Sequence, residues 1–139
     1  MNSLIPRDLT DMTATKTSTP TERATAAHLR TTRLAFSDIA ETLQDVLGQK
    51  LTAHIAGLTD TKAIGEYARG GREPRHDVEA RLRLAYQVFQ VIVDSDSDHV
   101  ARAWFIGLNP QLDDDTPADA IREGRLKDVL AAARAFVDS

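Results

Sequence analysis

The chain has 139 residues, of which 42% are hydrophobic and only 5% aromatic, with no cysteine and a formal net charge of -4. That length suits one small domain, or two lobes sharing a core, and excludes large architectures. The absence of cysteine excludes disulfides and thiolate metal sites. With so few aromatics, the core has to be built from Leu, Ile, Val and Ala, the composition of a helical protein. Charge is uneven: basic residues number twelve against eleven acidic ones before Asp94, and five against ten from Asp94 onward. This asymmetry has two readings, solubility alone, or a first part able to approach phosphate and a last part facing a basic partner. No apolar leader and no membrane-length stretch is visible, so the expected compartment is the cytoplasm, with no membrane partner.

Residues 1–32 are rich in Thr, Ser, Ala and Pro and show no apolar periodicity, which predicts a disordered tail; Met12 is an alternative start. A lobe is expected over 33–76. Ile39, Leu43, Val46 and Leu47 form one helical stripe, with Ser37 as its candidate cap and Gly48 as its stop. Leu51 to Ala56 reads as a second helix and Gly57-Leu58 as a turn. Asp60 caps a third helix on which Ile64, Tyr67 and Ala68 share a face, and Gly70-Gly71 stop it. Helix, glycine turn, helix is the outline of a helix-turn-helix, with Ala53 at the close crossing. The outline is degenerate, because Ile64 and Tyr67 fall one residue later than the usual pattern.

A long spine helix is expected over 77–94, with Leu82, Tyr86, Phe89 and Val93 on one face and Leu84, Val88 and Ile92 on another, so that it is buried on two sides. The final lobe spans 95–139. Ser97 caps a helix carrying Val100, Ala103 and Trp104, and Asn109-Pro110 makes a turn. Thr116-Pro117 restarts helix with Asp119 at its positive end, and Gly124 stops it. The last helix sets Leu126, Val129, Leu130, Ala133 and Val137 on one stripe, with Phe136 beside it. The expected fold is therefore all-α, a helix-turn-helix lobe joined through a long helix to a small C-terminal lobe in one continuous core.

The residue pattern gives little support to catalysis or metal binding. His28, His54, His76 and His99 show no metal-ligand spacing. Asp94, Asp96 and Asp98 alternate like a calcium loop, but His99 stands where that loop needs glycine and Phe105 where it needs glutamate. Asp113, Asp114 and Asp115 are consecutive, so their side chains are expected to diverge in a solvated loop. No nucleophile elbow, phosphate-binding glycine loop or dinucleotide fingerprint is present. The reading is a non-enzyme without cofactor or metal. For DNA, the candidates are Thr61, Lys62, Arg69, Arg72 and Arg75, whose cations could reach phosphates. Asp60 and Glu66 on the same helix oppose that, and a lobe that only dimerises or supports the spine remains equally open.

In its combined order of Trp104, Asn109-Pro110, Leu112, Pro117, Gly124 and Val129, the segment from Ala103 to Val137 resembles the C-terminal toxin-binding domain of the Xre/MbcA/ParS antitoxins, bacterial proteins that neutralise RES-domain toxins acting on NAD. The resemblance covers about 40 residues there and extends more weakly upstream to about Arg33. The family usually has a Pro-Asn pair and a Gly-Gly before the Pro-containing helix start, where this chain has Leu108-Asn109-Pro110 and Asp113-Asp114-Asp115.

What the resemblance implies is a type II antitoxin that binds a RES-domain toxin and occludes its active site, with repression of its own operon as a coupled role. The toxin-binding set it implies is Trp104, Asn109, Pro110, Leu112, Pro117, Gly124, Val129, Arg134, Phe136, Val137, Asp138 and Ser139. Trp104, Leu112 and Pro117 would hold the lobe rigid, and the tail from Phe136 would reach the toxin cleft. Partners would be the toxin and operator DNA, in a homodimer or a toxin-antitoxin hetero-oligomer. The alternative is a stand-alone Xre-family transcriptional regulator without a toxin.

Overall fold

A computed structural model describes residues 36–139, which lie within one compact unit, Leu34–Ser139. The expected tail over 1–32, and Arg33, lie outside the described residues. Everything regular in the described part is helical. We label the helices α1 (36–47), α2 (Gln49–Ala56), α3 (Lys62–Ala68), α4 (His76–Val93), α5 (Asp98–Ile106), α6 (Pro117–Arg122) and α7 (Leu126–Asp138), with a 3-10 turn at Pro110–Leu112.

Local chemistry places several of the boundaries. Asp60 Oδ1 accepts from the Lys62 N–H at 2.9 Å, opening α3 through its carboxylate. Ser97 Oγ accepts from Val100 N–H at 3.3 Å, and Thr116 Oγ1 from Asp119 N–H at 3.1 Å, so both expected caps form. Pro117 takes the first position of α6, where its missing N–H costs nothing. Ser37 does not cap α1: Phe36 is already helical and buried, so Ser37 sits inside the helix. Gly57 is left-handed (φ 84°), and a Cβ there would come within 3.3 Å of the Arg81 guanidinium. Glycine suits both demands, since any side chain there would be strained by the positive φ and would press on Arg81.

The core is one cluster running from Phe36 to Ala133. Leu43, Leu47, Ile55 and Ile64 come from the first three helices, Leu82, Val88 and Ile92 from α4, and Phe105, Leu112, Ile121 and Val129 from the last part. The long helix α4 packs against α2, α5, α6 and α7. It is buried along Val78, Leu82, Ala85, Val88, Phe89 and Ile92, while Leu84 and Tyr86 are half-buried.

An early and a late helix also meet directly: α2 packs on α6. That contact is polar at its edge. His54 Nε2 lies 2.6 Å from Asp119 Oδ1, and Arg122 Nη1 donates to the His54 carbonyl at 2.8 Å. Elsewhere α5 reaches the end of α1, Arg102 Nη1 donating to the Leu47 carbonyl at 2.6 Å. Arg81 bridges Asp77 at 3.2 Å and the Ile121 carbonyl at 3.2 Å. Among the described residues no helix is long and apolar enough to cross a membrane.

Candidate functional site: an apolar groove on the C-terminal helices

The groove arises where α5 ends. The Trp104 indole sits on the last turn of that helix, 9% exposed, with its ring edge-on to Phe105 at 5.7 Å and tilted against Phe136 of α7 at 6.4 Å. Gly107 then turns the chain to extended backbone, and Leu108 is left 75% exposed. Asn109 folds the next turn by accepting Gln111 N–H on its side chain at 2.9 Å. Pro110 starts the 3-10 turn, which drives Leu112 fully into the core.

Together Trp104, Leu108, Asn109, Pro110, Gln111, Ala132, Ala135, Phe136 and Ser139 line an open groove of about 410 Å³. An isolated exposed apolar residue is ordinary, but an aromatic floor with Leu108 and the 42% exposed Phe136 on its rims is the composition of an interaction surface.

The candidate residues of this lobe divide cleanly. Trp104, Asn109, Pro110, Phe136 and Ser139 line the groove. Leu112, Pro117 and Val129 are buried. Gly124 is exposed and left-handed (φ 85°), ending α6. Arg134 and Asp138 are exposed on α7 outside the groove lining, and Val137 is half-buried against the core.

The loop before α6 differs from its expectation. Asp113 and Asp114 both adopt left-handed backbone, φ 59° and 64°, and an antiparallel bridge pairs Asn109 with Asp115. The three aspartates do not simply diverge: Asp113 and Asp115 lie 3.5 and 4.0 Å from the Arg125 guanidinium, which also meets Asp128 at 3.3 Å. Nothing in the sequence motif singled out Arg125, although its place directly after the Gly124 stop is a visible signal that the chain reverses there.

The second surface is the α2–α3 pair. Lys62, Arg69, Arg72 and Arg75 are all exposed and Thr61 is half-buried. Two of these cations are engaged within the protein. Arg72 donates to Glu66 at 2.9 Å and lies 5.8 Å over the Tyr67 ring, while Arg75 is 3.6 Å from Asp77. The hydrogen bond to Glu66, followed by the Tyr67 phenol, raises the Arg72 pKa further above its ordinary value. For Asp77, burial pushes the carboxyl up, but the Arg81 hydrogen bond, the Val78 N–H and the Arg75 charge outweigh it and hold the group below the usual carboxylate range.

Among the described residues no group of three or more histidines and carboxylates is placed to hold a metal ion. His54, which the sequence left without a role, joins α2 to α6 through Asp119. Comparison with family models, curated proteins and solved structures gives no match.

Proposed function

We propose that this protein is an antitoxin that binds a RES-domain toxin through the groove around Trp104 and blocks its NAD-consuming site. The observation that carries the reading is the convergence at this groove. Residues up to 35 positions apart, from Trp104 and Asn109-Pro110 to Phe136 and Ser139, line one apolar surface, with Leu112 and Val129 buried in the core of the same lobe. A surface of this kind binds by shape and apolar burial and needs no cofactor or catalytic group of its own. Also in favour is the backbone before α6: where the resembling family has Gly-Gly, Asp113 and Asp114 take the left-handed conformations that glycine adopts most readily.

Deleting Ala135 to Ser139 removes one wall of the groove while leaving the buried stripe of α7 at Val129, Ala132 and Ala133. The shortened chain is expected to keep its helical content by circular dichroism and lose neutralisation of the toxin. Full protection by it would contradict the proposal.

Operon repression through α2 and α3 is a coupled proposal, supported by the exposed Lys62 and Arg69 and opposed by Glu66, which already holds Arg72. The stand-alone regulator is the competing reading; the groove favours the antitoxin because it is an apolar partner surface remote in sequence from the basic helix pair.

A further inference from the structure

Arg125 stands where three segments meet. Its backbone N–H donates to the Ala120 carbonyl at 2.9 Å as α6 ends, and its own carbonyl accepts from Val129 as α7 begins. Gly124, left-handed just before it, turns the chain back toward the loop 107–116. The side chain then spans that loop: Nη1 donates to the Leu112 carbonyl at 3.4 Å, Nη2 to Asp113 at 3.5 Å, and Nε to Asp128 at 3.3 Å, with Asp115 at 4.0 Å.

The loop needs such a hold. It contains two consecutive non-glycine residues in left-handed backbone, a conformation that is unfavourable for side-chain-bearing residues, and three adjacent like charges. Its first half, Leu108 to Gln111, is one wall of the groove.

We propose that Arg125 is the positioning residue of the groove: by neutralising Asp113 and Asp115 and holding the Leu112 carbonyl, it fixes Leu108 and Pro110 opposite Phe136. The role in recognition rests on the groove being the toxin-binding surface, whereas the hold on the loop does not. A planar guanidinium offers these acceptors several donors in a fixed fork, whereas an ammonium offers three on one rotating head and no fixed fork.

The test uses the full chain carrying Arg125→Met, Arg125→Lys or the pair Asp113→Asn and Asp115→Asn, and reads amide hydrogen exchange without any partner. The N–H groups of Asn109, bonded to the Asp115 carbonyl, and of Asp114, bonded to the Asn109 carbonyl, report on the loop, and those of α4 serve as reference. Arg125→Met, which keeps the alkyl stem, is expected to speed exchange at Asn109 and Asp114 about tenfold, the scale of losing charge-assisted hydrogen bonds, with α4 unchanged. The paired Asn variant should do the same with Arg125 in place, and Arg125→Lys should recover only part of the protection.

Unchanged exchange in both the Met and the paired Asn variants would overturn the proposal. The same proteins are then tested against a RES-domain toxin. Weaker binding by Arg125→Met, through slower association, supports the positioning role, and equal binding despite a loosened loop overturns it. A wild-type chain that binds no RES toxin contradicts the functional reading instead, and the exchange result then decides the hold on the loop by itself.

Discussion

Arginines close this structure at the residue scale. Arg81, Arg102, Arg122 and Arg125 each donate to a main-chain carbonyl in another segment, those of Ile121, Leu47, His54 and Leu112. The Leu47, His54 and Ile121 carbonyls belong to last turns of helices, where the dipole favours a cation, and those of His54 and Ile121 accept from the Gly57 and Gly124 N–H as well. None of this was legible in the sequence, because the partners are 13 to 68 positions apart and an arginine bound for a distant carbonyl looks like any solvated one. Asp77 sharpens the point, since it opens α4 and orients Arg81 toward α6. Its carboxyl is depressed in the folded state, so it stabilises the fold above the unfolded value, near pH 4, and that contribution fades as pH falls through the lower folded value. Asp77→Asn should therefore melt below wild type at pH 7, and the gap should close as the pH falls below the ordinary carboxylate range; a gap that stays constant as the pH falls would show that the charge is not involved.

At the scale of elements, the helices were readable where their signals are local. Ser97, Thr116-Pro117 and Gly124 act within four residues of themselves, and each does what its chemistry dictates. Ser37 is not a cap, because Phe36 before it is already helical. The loop 107–116 was least readable, since its shape depends on Arg125, ten positions past Asp115. That loop also yields a direct expectation. Asp114 is exposed and left-handed at φ 64°, so Asp114→Gly should raise stability in chemical denaturation by about 0.5–1 kcal/mol, the relief of an unfavourable left-handed backbone. A loss of stability would mean that the Asp114 side chain contributes more than its backbone conformation costs.

For the whole molecule, the apolar stripes of the sequence sufficed to fix an all-helical protein with one continuous core, because burial is the demand that every helix face shares. They could not foresee that α2 would pack on α6, or that the candidate residues of the last lobe would divide into a buried set and a groove-lining set. The division matters for function. It leaves Leu108 75% exposed at the rim, so that Leu108→Asp should leave the melting temperature near wild type while removing an apolar contact. The decisive measurement is native purification of the full chain from its host cell, in wild-type and Leu108→Asp forms, with mass spectrometry of what accompanies it and an NAD-consumption assay of that partner. A RES-domain protein that comes with the wild type, stays inactive on NAD until separated, and is lost from the Leu108→Asp form is the predicted result. Recovery of the wild-type chain alone, or with DNA only, would contradict the account.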